Sequence, residues 1–201
     1  MKKQYRYAFY LIPPYQISRD ITEIHLMLKK QYGICAAGRF QVHCTIKGFF
    51  KPNEKSLKEL IRNLDAFLNT QKPFTVELSD CKTKPKSIFL RLDEIDGIPN
   101  QKLLDFRESI VELVRPFIAS DCDFYESDLI PPFKGHITLA FKDLSDELYP
   151  QILEWLKNAP LPEGKFQAEN FDLLEFYSQA WNRNWWETIS WKLLKSWRLN
   201  S

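Results

Sequence analysis

Two segments of the chain, residues 40–46 and 133–139, repeat one pattern and constrain the fold more than any other feature. Their sequences are FQVHCTI and FKGHITL. In both, apolar and polar residues alternate, which is typical of a half-buried strand because successive side chains point to opposite faces. Each segment contains the order His-x-Thr. Each predicted strand therefore carries an imidazole and a hydroxyl on one face, about 7 Å apart at ~3.3 Å per residue.

The alternation assigns the residues of each strand to two faces. In the first strand, one face is predicted to hold Gln41, His43, Thr45 and Lys47, and the other Phe40, Val42, Cys44 and Ile46. In the second strand, the corresponding sets are Lys134, His136, Thr138 and Ala140, and Phe133, Ile137, Leu139 and Phe141. Two of the three histidines of the chain thus occupy equivalent positions.

Hydrophobic periodicity predicts the remaining elements. The predicted strands cover residues 5–12, 74–78, 88–92, 171–179 and 185–194, and the predicted helices cover 17–32, 55–70, 100–118 and 145–158. Gly33 is the predicted end of the first helix. His25 lies beside the apolar stripe of that helix among charged residues, so we predict a surface or flanking histidine without a catalytic role.

Strands and helices alternate twice along the chain, with one motif strand in each half and no Ser- or Gly-rich linker between the halves. This order predicts one α+β domain over residues 1–201 in which two lobes are intertwined. The apolar run near the N-terminus is too short for a secretion signal, and no run approaches the ~20 residues of a membrane span. Four cysteines without CxxC spacing are expected to be reduced, which favours a cytoplasmic protein.

Two imidazoles suit the cleavage of a phosphodiester. With pKa values near ~6.5, one imidazole can act as a base and the other as an acid at neutral pH. We predict His43 and His136 to be this catalytic pair. The hydroxyls of Thr45 and Thr138 are predicted to bind the phosphate and to stabilise the charge that grows on its oxygens. A net charge of only +2 suits a small anionic substrate better than an extended duplex.

Other interpretations of the pattern are less favoured. His-x-Thr is short and common in strands, but two copies in matching strands favour function. A metal site fits poorly, because His43 and Cys44 point to opposite faces of a strand and no carboxylate stands at ligand spacing. The chain has neither a GxxxxGK[ST] nor a GxGxxG segment for nucleotide phosphates. We therefore predict no metal and no cofactor.

The two His-x-Thr-x segments resemble the paired signatures of the two-histidine phosphoesterase superfamily, which includes RNA 2′,3′-cyclic phosphodiesterases, bacterial 2′-5′ RNA ligase-like proteins and plant-type cyclic phosphodiesterases. Residues 7–13 and 171–178 resemble its opening and closing strands. The resemblance implies a bilobal α+β fold with two pseudo-symmetric β-sheet lobes, helices on the outer faces and a central cleft. It also implies metal-free chemistry on a nucleotide phosphate, with His136 as base and His43 as acid, although the motifs are symmetric. Many ligase-like members carry an arginine soon after the second motif, where this chain has Ala140-Phe141-Lys142.

Several neighbours of the motifs are candidates for binding the substrate. Arg39, Lys47 and Lys134 are predicted to make the cleft basic, with ordinary solvated charge as the alternative. Tyr10 is a candidate for stacking on a base, with a core position as the alternative, and Tyr125 is a further candidate.

The predicted function is a cyclic phosphodiesterase, a hydrolase that acts on 2′,3′-cyclic phosphates of RNA ends or small nucleotides. The alternatives are a protein that binds RNA ends without turnover and an RNA 2′-5′ ligase. A monomer is expected.

Overall fold

The computed structural model describes residues 5–53, 55, 57–84, 87–122, 133–181 and 184–200. The helices are α1 Tyr15–Tyr32, α2 Leu57–Leu68, α3 Gln101–Val114 and α4 Leu148–Asn158. The strands are β1 Tyr5–Ile12, β2 Cys44–Phe50, β3 Phe74–Lys84, β4 Ser87–Arg91, β5 Glu94–Ile95, β6 Ile98–Pro99, β7 His136–Phe141, β8 Gly164–Ala168, β9 Asn170–Tyr177 and β10 Ser190–Arg198. Within the described ranges, no helix is both long and apolar enough to cross a membrane.

Eight strands form one antiparallel sheet in the order β10-β9-β1-β2-β7-β4-β3-β8, and β5 and β6 form a separate ribbon. The α+β class is confirmed. The motif strands β2 and β7 are neighbours at the centre, with three further strands on each side. All eight strands belong to one continuous sheet, so the division into two lobes stays a prediction.

Local signals explain where the helices begin and end. Gly33 ends α1 with φ of +75°, a left-handed conformation that glycine adopts without steric cost, and its N–H donates to the carbonyl of Lys29. The side chain of Asn100 caps α3 by accepting from the N–H of Leu103. The predicted helix over 100–118 is too long, because the segment with Pro116 turns into a 3₁₀ helix over Arg115–Phe117.

The two faces of the sheet bury different sets of residues. On β1, Phe9 and Leu11 belong to the main core, which includes apolar residues of all four helices. The alternate residues Ala8 and Tyr10 belong to a second cluster with Phe176, on the opposite face. Because this cluster is largely aromatic and lies beside the motif strands, it forms one wall of the cavity described next.

Candidate active site

The two motif strands meet at a single register pair, in which Cys44 on β2 stands opposite Ile137 on β7. The strands are antiparallel, so the histidine that precedes one member of the pair lies opposite the threonine that follows the other. Each histidine therefore faces the threonine of the other motif across the centre of the sheet. Cys44 is fully buried, as predicted for its face of the strand.

The four motif side chains line one cavity of about 240 Å³: His43, Thr45, His136 and Thr138. Each of them keeps part of its surface exposed. The arrangement can hold one tetrahedral anion between two imidazoles and two hydroxyl donors. The structure thus brings the four predicted residues together, and their catalytic and phosphate-binding roles stay predictions.

A matching hydrogen bond orients each imidazole. Nδ1 of His43 donates to the carbonyl of Gln41 at 2.7 Å, and Nδ1 of His136 donates to the carbonyl of Lys134 at 2.7 Å. Because a carbonyl can only accept, Nδ1 carries the hydrogen in both rings, and Nε2 is left as the nitrogen that can take or give a proton. Both partners lie two residues before the histidine. The sequence pattern alone does not predict these bonds.

Burial makes both imidazoles poor at holding a proton in the free protein. It lowers the pKa of His43 to about 4, against the opposing effect of the Gln41 carbonyl and with a smaller contribution from the charge of His136. Burial also lowers the pKa of His136 from its ordinary value, with the Lys134 carbonyl again opposing. Both rings are therefore neutral at pH 7 before an anion binds.

A bulge in β2 moves Lys47 out of the cavity. Tyr10 on β1 pairs with Thr45, and Phe9, the residue before Tyr10, pairs with Lys47. The strand β2 therefore contains one extra residue between Thr45 and Lys47. The extra residue turns Lys47 toward the core, where it is fully buried and its Nζ lies 5.3 Å from the ring centroid of Phe50. The prediction that Lys47 shares the face of His43 is wrong for this reason.

A bulge at the equivalent position in β7 has the same effect. Phe89 pairs with Thr138 and the preceding residue Ile88 pairs with Ala140, so one residue of β7 is extra. Ala140, predicted on the histidine face, is buried in the core instead, and Phe141 lines the cavity. Both motifs are thus followed by a bulge directly after the threonine, a common device for redirecting side chains beside a site.

The remaining candidates occupy different places. Tyr10 lines the cavity, is 3% exposed, and stacks on the ring of His43 with centroids 3.7 Å apart and planes inclined by 16°. Arg39 is exposed in a 3₁₀ turn over Ala37–Arg39 rather than on a strand. Lys134 is exposed and contributes its carbonyl to His136. Tyr125 lies outside the described residues.

His25 is buried beside the apolar stripe of α1, so of its two predicted positions the surface one is wrong. It is 9% exposed, lines the cavity, and its Nε2–H donates to the carbonyl of Thr138 at 3.0 Å. Burial lowers its pKa. The signal is present in the sequence, because His25 follows the buried Ile21 by four residues and precedes the buried Leu28 by three, which places it on the same helix face.

An aromatic wall completes the cavity. Its members Phe40, Phe49, Phe141 and Trp185 come from four separate segments, so no local pattern in the sequence could group them. At its edge, Nζ of Lys142 lies 5.8 Å from the ring centroid of Trp185, and Lys142 has φ of +65°, a conformation that is costly for a residue with a Cβ. Across the described ranges, no three His, Cys, Asp or Glu side chains are grouped as ligands for a metal.

Comparisons with known proteins agree with this architecture. TT0787 of Thermus thermophilus has 18% sequence identity and a TM-score of 0.62, over 96% of this chain and 97% of that chain. LigT of E. coli in complex with 3′-AMP has 17% identity and a TM-score of 0.53, over 100% of both chains. LigT in complex with phosphate has 18% identity and a TM-score of 0.54, also over 100% of both. At these identities the likeness establishes the fold.

A comparison with curated proteins returns no match. The model of the 2′-5′ RNA ligase superfamily matches residues 13–180, a range that includes both motif strands and every residue of the aromatic wall except Trp185. The chain therefore belongs to the 2′-5′ RNA ligase superfamily.

Proposed function

We propose that the protein is a metal-free phosphodiesterase that opens 2′,3′-cyclic phosphates of RNA ends or nucleotides by general acid-base catalysis. The observation that carries this proposal is the crossed arrangement of the two motifs, in which each imidazole faces the hydroxyl of the other motif around one cavity. The fixed Nδ1–H bonds support it, because they leave the Nε2 of each imidazole as the nitrogen that can take or give a proton.

In the proposed reaction, one neutral imidazole removes a proton from water as the water oxygen bonds to phosphorus. The bond from phosphorus to one ribose oxygen breaks, and the imidazolium on the other side gives its proton to that oxygen. The product is a ribose phosphate monoester with one free hydroxyl. Thr45 and Thr138 donate hydrogen bonds to the two non-bridging oxygens, whose charge increases in the transition state.

Burial argues for His43 as the base. The pKa of His43 falls to about 4, mainly because the ring is desolvated. When one proton is shared by the pair, the proton resides mainly on the group with the higher pKa. The smaller lowering at His136 therefore favours His136 as the acid. This assignment is the reverse of the one that the resemblance implies, and it follows from the surroundings of two sequence motifs that are otherwise alike.

The cavity and the relatives support a nucleotide as part of the proposed substrate. LigT has been seen in complex with 3′-AMP and with phosphate. In this chain, three residues of the aromatic wall, Phe49, Phe141 and Trp185, offer apolar ring faces to a nucleobase beside the phosphate position. Tyr10 offers less ring surface to a nucleobase, because one face of its ring already stacks on His43.

Ligation is a second candidate, favoured by the name of the family. If the 5′-hydroxyl of an RNA replaces water, its oxygen bonds to phosphorus, the bond from phosphorus to the 3′-oxygen breaks, and the acid protonates that oxygen, which leaves a 2′-5′ linkage. Binding of RNA ends without turnover is less favoured, because binding alone does not require two oriented imidazoles.

The test is hydrolysis of a nucleoside 2′,3′-cyclic phosphate in the presence of EDTA, with products separated by chromatography. We expect turnover that the chelator does not reduce and that is lost in His43→Ala and His136→Ala. Tight binding without turnover by the wild-type protein would support a binding protein instead. Joined RNA in a reaction supplied with 5′-hydroxyl ends would support the ligase.

A further inference from the structure

A second groove adjoins the catalytic cavity on the side of α1. Its volume is about 290 Å³, and it shares His25 and Phe40 with the lining of the first cavity. On the far side of these two residues, the groove is lined by Lys29 and Arg39. Among the described residues, no aspartate or glutamate contributes to its lining. A ligand that extends from the phosphate position past His25 and Phe40 therefore enters a basic surface.

The two cations of this groove are available to bind an anion. Neither Lys29 nor Arg39 makes an ion pair with a carboxylate of the described residues, whereas Arg91, which pairs with His136 across the sheet, is held by Asp93 at 2.9 Å. An exposed guanidinium without a carboxylate partner can bind a phosphate through two parallel hydrogen bonds.

An exposed aromatic ring is attached to the same turn. The indole Nε1–H of Trp191 donates to the carbonyl of Arg39 at 3.0 Å, and the side chain is 39% exposed. The ring belongs to β10, on the outer edge of the sheet. A positive groove bordered by an aromatic face is the combination that single-stranded nucleic acids require, because the cations bind the backbone and the ring stacks on a base.

We propose that this groove, formed by Lys29, Arg39 and the adjoining Trp191, binds the second nucleotide of a single-stranded RNA end. The proposal rests on the proposed function, since it takes the terminal cyclic phosphate to lie between His43 and His136. The RNA then continues from the 5′-oxygen of the terminal nucleotide, and its next phosphate lies against the two cations. The substrate class is therefore an oligonucleotide end rather than a free mononucleotide.

The test compares two substrates that differ by one nucleotide. One is a mononucleoside 2′,3′-cyclic phosphate, and the other is a dinucleotide that ends in the same cyclic nucleoside. We expect kcat/KM to be higher for the dinucleotide. In the double variant Lys29→Ala, Arg39→Ala, the ratio of the two kcat/KM values should fall about tenfold, the scale for losing hydrogen bonds to a charged group. With the wild-type protein, a dinucleotide with a neutral methylphosphonate linkage should likewise lose its higher kcat/KM relative to the mononucleotide.

A matched control is the double variant Lys72→Ala, Lys102→Ala, which removes two lysines from a separate cavity of about 420 Å³ between α2 and α3. The control should leave the ratio unchanged. Salt provides a second readout, because losing one phosphate contact should make the slope of log kcat/KM against log salt shallower by about 0.7 for a single strand. An equal ratio in the wild-type protein and both double variants would overturn the proposal.

A binding measurement separates this proposal from the proposed function. Fluorescence anisotropy with a 5′-labelled trinucleotide that ends in a 3′-phosphate requires no turnover. Suppose that the wild-type protein cleaves neither substrate but binds this RNA, and that only the double variant Lys29→Ala, Arg39→Ala, the groove variant, binds it more weakly. The groove proposal is then supported and the catalytic proposal fails. If mononucleotides are hydrolysed and the groove variant binds RNA as tightly as the wild-type protein, the groove proposal fails alone.

Discussion

The two histidines of the site make matching hydrogen bonds, so any difference between their pKa values must come from the residues around them. Each imidazole bonds a carbonyl two residues earlier at the same distance of 2.7 Å. The ring of His43 is covered by Tyr10 with centroids 3.7 Å apart, whereas Phe89 lies 4.9 Å from His136 and is inclined by 53°. The closer cover over His43 is consistent with the stronger lowering of its pKa.

The threonines provide the first prediction at this scale. Thr45→Val and Thr138→Val keep the shape of the side chain but delete the hydroxyl donor. Each should lower kcat by about 10²-fold, the scale for removing one donor to a developing oxyanion. Steady-state kinetics will check this, with Thr75→Val as the control, because Thr75 lies on β3 outside the cavity. Unchanged rates in both motif variants would show that the hydroxyls do not contact the reacting phosphate.

The second prediction concerns which histidine acts as the acid and which acts as the base. If His136 is the acid, His136→Ala should be slow on a cyclic phosphate yet retain activity on a nucleoside p-nitrophenyl phosphodiester, whose leaving group needs no proton. His43→Ala should lose activity on both substrates, because both need the base. Rescue of the His43 variant instead would restore the assignment that the resemblance implies.

The pH dependence of kcat/KM is the third prediction. The base must be neutral and the acid protonated in the free enzyme, so the profile should be bell-shaped. Its rising limb should lie near the pKa of His43, about 4, and its falling limb below 6.5, because the pKa of His136 is also lowered. An initial-rate profile from pH 3.5 to 8 measures both limbs. A rate that is flat across this range would exclude titration of the pair.

At the residue scale, the sequence was informative where function and strand periodicity coincide. The placement of His43 beside Thr45, and of His136 beside Thr138, is predictable, because a spacing of two keeps histidine and threonine on one face. The position of Lys47 was not predictable, because it depends on a bulge that periodicity does not encode. The wall residues were not predictable either, since distant segments bring them together.

At the scale of elements, the bulges after the two threonines decide which side chains reach the substrate. They place Lys47 in the core and Phe141 in the cavity. This arrangement predicts that Phe141→Ala raises KM about tenfold through lost stacking on the base. Lys47→Met should leave kcat/KM of the folded protein unchanged, whatever it does to stability. Circular dichroism will verify folding, and a fall in kcat/KM for Lys47→Met equal to that for Phe141→Ala would contradict the assignment of faces.

The elements themselves were largely predictable, and their exceptions have physical causes. The strand over 5–12 and the end of α1 at Gly33 are confirmed, because Pro13 and Pro14 follow the strand and Gly33 follows the helix. The sequence pattern does not predict strand β8, since its five residues include only two buried ones, Phe166 and Ala168. Its pairing with β3, rather than its own pattern, makes it a strand.

At the scale of the whole molecule, the order of strands joins two distant halves of the chain. The motif strands are separated by almost the length of one half, yet they are neighbours at the centre of the sheet. The sequence contains the two motifs but not their register, because strand pairing depends on contacts distant in sequence. The register that pairs Cys44 with Ile137 is what turns two separate motifs into one site.

This central site should also make the stability of the protein depend on pH, which is the last prediction. His43 has a pKa of about 4 in the folded protein, whereas an unfolded histidine titrates near ~6.5. Between these values the unfolded chain binds a proton that the folded chain does not, so stability falls as the pH falls from about 6.5 toward 4. At pH 5, this one histidine should cost about 2 kcal/mol of unfolding free energy relative to pH 7.5. Urea unfolding at the two pH values will measure the loss, and His43→Gln should lose correspondingly less, because all other titrating groups are shared. Equal losses in the wild-type protein and the variant would show that the imidazole is not held neutral by burial.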